Sequence, residues 1–173
     1  MLTPLFVCHA NCCRSVIAKY LYESLNPGFS AFSAGIEVGD QVNDRAAAML
    51  RWWGLDASGH TPRRIDRELC DHAGAIFVMG PEYLLRLIKM LGMDLAHKSY
   101  LFADPFNTPE SFQNGAYHVY DPSFDNRPVE ELVKEYDWFR DRVCQIHRAL
   151  LSDQNGLIPA SRYIKILEND LSG

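Results

Sequence analysis

The stretch FVCHANCCRS, Phe6 to Ser15, places three cysteines within six positions and an arginine six positions after the first of them. Cysteine sulfur can hold a metal, form a disulfide or attack an electrophile, and each use needs its own surroundings. A zinc site built from Cys8, Cys12, Cys13 and His9 would draw every ligand from one tight loop, and no second CxxC or HxxxH exists to complete it. Five cysteines are an odd number, and the leading residues MLTPLFV show neither a basic leader nor a cleavage site, so a secreted disulfide framework is not expected. Reactive or buried thiols remain. Arg14 offers a planar fork that matches two oxygens of a phosphate. Ser15, directly after it, offers a hydroxyl to a thiolate or a leaving thiol.

Such chemistry depends on the elements that hold the loop. The apolar run Pro4 to Cys8 reads as a short buried strand, followed at once by a helical pattern with Ile17, Leu21 and Leu25 at i, i+4 and i+8 and an end at Asn26, Pro27 and Gly28. Phe29 to Gly35 reads as a second strand, and a helix of about Asp44 to Trp53 follows, closed by Gly54. Ala73 to Gly80 is a third strand, and Pro81 opens a helix with an apolar face of Leu84, Leu85, Ile88 and Leu91. Ser99 to Ala103 gives a fourth strand, and a polar segment, Asp104 to Asn126, leads to a long helix of about Val129 to Leu151. Strands alternating with helices predict an α/β fold, a single-domain three-layer α/β/α arrangement around a central four-stranded parallel sheet. Residues 1–153 make up the domain, and 154–173 form a C-terminal tail, helical in part and loosely attached.

Composition agrees with one globular domain: 173 residues, 47% hydrophobic and 23% charged. No apolar stretch approaches the ~18 residues of a membrane span, so no membrane insertion is expected. A net charge of −5 disfavours general attraction to nucleic acid and leaves room only for a local basic site. The expected location is the cytoplasm.

In open parallel sheets ligands bind beyond the carboxyl ends of the strands, and a loop entering a helix N-terminus favours anions. FVCHANCCRS occupies such a junction. Cys8 ends the strand, where the helix beginning near Arg14 contributes free amide groups and a partial positive charge that stabilise a thiolate. Arg14 can curl back over the loop. His9, Ala10, Asn11, Cys12 and Cys13 then form a phosphate cradle with Cys8 at its base.

Cys8, Asn11, Cys13, Arg14 and Ser15 match the signature CxxNxCRS, and on these residues the chain resembles the low-molecular-weight protein tyrosine phosphatases. The resemblance runs from Pro4 to about Leu151, through Ser33 to Gly35 (SAG), Asp44 with Arg45, Gly54 with Leu55, His60 in GHTPRR, Met79, and Asp121 with Pro122. It implies that Cys8 attacks phosphorus, that Arg14 and the loop amides hold the equatorial oxygens, and that Asp121 protonates the leaving oxygen and later activates water. It implies no metal and no cofactor, and a phosphotyrosine-containing protein as the substrate partner. Asn11, Ser15, Ser33 and His60 become a network holding the loop, Cys13 the reversible disulfide partner of Cys8, and Cys12 a residue at the mouth. Of the two Asp-Pro pairs, Asp104 and Asp121, the second lies just before the final helix as the family's acid does, and Phe124 beside it supplies an aromatic wall. Cys70 and Cys144 fall in helical patterns and read as structural.

Several positions depart from the family pattern. Ala10 stands where glycine is usual, which strains the loop if that position needs positive φ. Val16 replaces a proline at the helix start, Gly80 an aspartate and Ser123 an aromatic residue, and the loop after Gly35 is short and lacks a tryptophan. These changes bear on the depth and lining of the pocket. Two rival activities share the cradle: an arsenate reductase, which in related proteins adds two redox cysteines in a later loop, and a catalytically weak phosphate-binding regulatory module. After Met79 this chain has no cysteine until Cys144.

Overall fold

Four parallel strands form the expected sheet, in the order β2-β1-β3-β4, where β1 is Pro4–Cys8, β2 Phe32–Gly35, β3 Ala75–Val78 and β4 Ser99–Leu101. The computed structural model describes residues 2–110, 117–153 and 156–171. β1 is central and buried along its whole length, with Val7 in register with Ala34 on one side and Val78 on the other. Side chains alternate between the faces of a strand, so Phe6 and Cys8 enter one core while Leu5 and Val7 enter the other. β3 does the same with Phe77 on one face and Ile76 and Val78 on the other. Both faces are covered, which is why these strands read as unbroken apolar runs.

One face is covered by α1 (Arg14–Leu25), α2 (Asp44–Trp52), α5 (Val129–Glu135) and α6 (Asp137–Leu151). The other is covered by α3 (Arg67–His72), α4 (Pro81–Leu91) and α7 (Ile164–Leu171). α3 was anticipated only as a helical pattern around Cys70, without bounds. What starts it is Asp66, whose side chain accepts from Leu69 N at 2.7 Å. α4 buries Leu84, Leu87 and Ile88 fully, with Leu85 and Leu91 at the margin of that face.

Three sequence expectations change. β2 is shorter than Phe29 to Gly35, because Phe29 N turns back to Asn26 O at 3.1 Å and Ala31 N is taken by Glu23 Oε1 at 3.1 Å, leaving neither free for the sheet. The single helix from Val129 to Leu151 is interrupted at Tyr136, whose ring is buried and whose hydroxyl donates to the Tyr120 carbonyl. The interruption was invisible because the apolar pattern Leu132, Tyr136, Phe139, Val143 continues through it. The tail is also not loosely attached: Ala160, Tyr163 and Leu167 are buried in the core that holds Leu84 and Ile88, and Ile158 N donates to Pro105 O at 2.8 Å. In the polar segment Asp104 to Asn126, residues 111–116 lie outside the described residues, as do 154–155 at the expected domain boundary.

Candidate active site

From β1 the sheet grows to β2 on one side and β3 on the other, so the crevice beyond Cys8 is the topological switch point where open α/β sheets bind ligands. Residues 9–13 cross it before α1 begins. Their carbonyls are drawn outward by the segment after β2. Ile36 N donates to Cys8 O at 3.1 Å, Glu37 N to His9 O at 2.8 Å, Gly39 N to Ala10 O at 2.9 Å and Asn43 N to Cys12 O at 2.9 Å. The Cys13 carbonyl accepts from Ile17 N at 2.9 Å. With the carbonyls engaged, the amide groups between them are left for the inside of the loop. Among the described residues none of those from Ala10 to Arg14 has a protein acceptor. Gly35 and Gly39 allow this close approach, since a Cβ at 35 would lie 2.7 Å from Ala10 C and Asn11 N, and one at 39 would lie 2.1 Å from Cys12 Sγ.

Ala10 does not carry the strain expected of it. The left-handed residue of the loop is Asn11, at φ 55°, and asparagine is among the few side chains that visit this region readily. Its amide also repays the position. Asn11 Nδ2 donates to Ser15 Oγ at 2.9 Å and Oδ1 accepts from Arg63 N at 3.0 Å. Because Ser15 Oγ already accepts from Asn11, its own proton is free for Cys8 Sγ, 3.0 Å away.

Arg14 is almost fully buried, yet well supplied with partners. Nη2 meets Asp121 Oδ2 at 2.7 Å and Tyr83 Oη at 3.2 Å, and Nη1 donates to Val119 O at 3.2 Å. Burial works against its charge, but Asp121, Cys8 and Tyr83 outweigh burial and raise its pKa. Asp121 is held by Ser123 N, which donates to Oδ1 at 3.0 Å. Asp104 lies elsewhere, with Phe106 N at 3.2 Å, Asn107 Nδ2 at 2.7 Å and Arg142 Nη1 at 3.6 Å. The structure therefore brings Asp121, and not Asp104, to Arg14.

Cys8, His9, Ala10, Cys12, Cys13, Arg14, Asp121 and Phe124 line one pocket, with Asn43 and Ser123 completing it. Phe124 is 88% exposed and stands free at the rim. Cys13 is buried beneath the loop, where burial and then the Asp121 carboxylate push its thiol up, against a hydrogen bond with the Ser123 side chain. Cys12 is half-buried with Sγ 3.3 Å from Ala10 O, and its thiol is raised by burial and by Cys8. His60 hydrogen-bonds the Asn11 backbone, and burial lowers its pKa. Ser33 departs from expectation: its buried Oγ has no protein partner among the described residues, so it is not tied to Asn11 or His60 by a direct bond. Cys70 and Cys144 are free thiols outside the pocket lining.

Tyr83, Asn43, Ser123 and Gly39 reach the site without having been named as functional residues from the sequence. Each arrives from a distant segment, and only Ser123 was marked, as a departure beside Asp121.

Residues 4–155 match the family described as low molecular weight phosphotyrosine protein phosphatase. Among curated proteins, the low molecular weight protein-tyrosine-phosphatase Ptp of Acinetobacter johnsonii is 35% identical over 77 residues, covering 43% of this chain and 54% of that protein. An arsenate reductase of Staphylococcus aureus (strain Newman) is 31% identical over 78 residues, 44% of this chain and 59% of that protein. The chain thus spans little more than half the length of these curated relatives. The solved YwlE arginine phosphatase from Geobacillus stearothermophilus shares the fold at TM-score 0.72 and 22% identity, over 89% of this chain and 96% of that one. With a match that takes in the loop after β1, the loop carrying Asp121 and all four strands, the chain belongs to the low molecular weight phosphotyrosine protein phosphatase family.

Proposed function

We propose that this chain hydrolyses aryl phosphate monoesters, with the phosphotyrosine of a protein as substrate, through a phosphocysteine at Cys8. The observation that carries the reading is the convergence on one pocket of Cys8 with Ser15 at 3.0 Å and Arg14 with Asp121 at 2.7 Å. The Cys8 thiolate attacks phosphorus, forming the S–P bond as the P–O bond to the aryl group breaks, and Asp121 gives its proton to the leaving oxygen. Arg14 and the inward amides hold the three equatorial oxygens, where negative charge gathers. Asp121, now a carboxylate, takes a proton from water as the water oxygen attacks phosphorus. The S–P bond breaks, releasing inorganic phosphate and the Cys8 thiolate. The positive potential comes from Arg14, the amides and the N-terminus of α1.

Five uncrosslinked cysteines support a reducing, cytoplasmic setting. Among the described residues no helix is long and apolar enough to cross a membrane. Cys13, buried in the same loop, is the thiol assigned to close a reversible disulfide once peroxide has converted Cys8 to its sulfenic acid, with water as the leaving product.

The test is turnover of an aryl phosphate. Vanadate-sensitive hydrolysis, lost in Cys8→Ser, supports the reading, and thiol-dependent reduction of arsenate by the wild type in its place overturns it. Phosphoarginine, assayed beside phosphotyrosine, separates the two substrate classes. Preference for phosphoarginine would sink the aryl assignment.

A further inference from the structure

Gly80 leaves room at the start of α4. A Cβ there would lie 2.7 and 3.1 Å from the two Glu82 carboxylate oxygens and 3.1 Å from His118 Nδ1. In the space that glycine leaves, Glu82 folds back over its own helix and meets His118 at 3.1 Å. Burial, with the Glu82 carboxylate beside it, raises the Tyr83 hydroxyl pKa, so it is a neutral phenol that can accept from a cation. What it accepts is Arg14 Nη2, at 3.2 Å, while Arg14 Cζ lies 5.3 Å from the Tyr83 ring centroid. The His9 ring stands 6.0 Å from the same ring.

Arg14 needs this holder because its strongest one has another task. Once Asp121 carries the proton it gives to the leaving oxygen, it no longer holds Nη2 as the negative half of an ion pair. When it turns to the leaving group, the guanidinium loses its shortest contact, at the moment when two phosphate oxygens require it aligned. Nη1 stays on the Val119 carbonyl. Nε is buried and has no protein partner among the described residues, so the edge from Nε to Nη2 is the one available to a pair of phosphate oxygens.

We propose that Tyr83, backed by Glu82 in the space opened by Gly80, is a positioning residue that keeps the Nε–Nη2 edge of Arg14 aimed at the phosphate. The proposal rests on the phosphatase reading of the site and deepens it. Its test does not require turnover: inorganic phosphate is titrated for protection of Cys8 against iodoacetate alkylation, beside kcat, KM and Tm. Tyr83→Phe keeps the ring and removes the hydroxyl. It is expected to weaken phosphate protection about tenfold and to lower kcat/KM by a similar factor, in line with loss of one hydrogen bond to a charged group, with Tm unchanged. Glu82→Gln, which leaves the hydroxyl in place but removes the charge beside it, is expected to weaken protection about threefold. It serves alone if the tyrosine variant fails to fold. A lower Tm with phosphate protection equal to wild type shows a merely structural tyrosine and overturns the proposal, as does unchanged protection in Glu82→Gln. Absence of wild-type turnover overturns the phosphatase reading while the protection assay still decides the role of Tyr83. Wild-type Cys8 that phosphate does not protect overturns both.

Discussion

Asp121 pairs with Arg14 at 2.7 Å, and the proposed reaction asks the same carboxyl group to protonate a leaving oxygen. Asp121→Asn is expected to lower kcat by about 10²- to 10⁴-fold, the usual worth of a general acid. By removing a negative charge from the anion site it also lets inorganic phosphate inhibit more tightly. Steady-state kinetics with phosphate as competitive inhibitor checks both effects, and Asp104→Asn, tied to Asn107 and Arg142, should change neither. His60 gives a pH prediction. Its folded pKa lies below the ordinary 6.5 because burial disfavours the cation, so the unfolded chain binds more protons as pH falls through that value. Its contribution to stability is complete above pH 6.5 and is lost as pH falls toward the folded pKa. Urea denaturation at pH 7.5 and 5.5 should show a smaller loss in His60→Gln than in wild type. Cys8, Asn11, Arg14 and Ser15 were legible in the sequence because one short loop carries them all at fixed spacing. Tyr83 was not, since its link to Arg14 spans 69 positions, and Ser33 was assigned a partner that the folded loop does not give it.

At the scale of elements, the cradle is made by two segments, and only one of them announced itself. The segment after β2 read as a shortened loop, yet its amides at Ile36, Glu37, Gly39 and Asn43 hold the carbonyls of the phosphate loop. Gly39 is the point of tightest approach. Gly39→Ala puts a Cβ 2.1 Å from Cys12 Sγ, and relief of the clash should cost about 1–3 kcal/mol of stability with a fall in kcat/KM. Cys12→Ala in the same chain removes the sulfur and should restore most of both, as measured by urea denaturation and aryl phosphate turnover. Gly35 offers no such rescue, because the atoms it would meet belong to the backbone of Glu37, Ala10 and Asn11. The strands and most helices were legible because apolar period and turn residues are local. The interruption at Tyr136 was not, because a tertiary hydrogen bond to the acid loop accompanies it where the periodicity runs on.

For the molecule as a whole, the family match from 4 to 155 stops short of α7, but the core does not. Leu167 is fully buried in the same cluster as Leu84, Leu87 and Ile88. Leu167→Ala should therefore destabilise the entire domain by about 2–5 kcal/mol, the range for a core leucine, rather than fray the tail alone. A single cooperative urea transition shifted to lower denaturant is the expected outcome, and an unchanged midpoint would show that the tail contributes nothing. The fold class was legible from alternating strands and helices, whereas the docking of the tail depends on a helix face that finds its partner at α4.

The engaged carbonyls around Cys8 have one more effect. A peptide group whose oxygen is fixed cannot flip, so the amides from Ala10 to Arg14 keep their direction, although among the described residues no protein acceptor holds them. Hydrogen exchange reports on bonded amides, and it would show this loop as unprotected and therefore mobile. Its backbone is instead held through its carbonyls, and under the proposed function an oxyanion would supply the protection these amides lack.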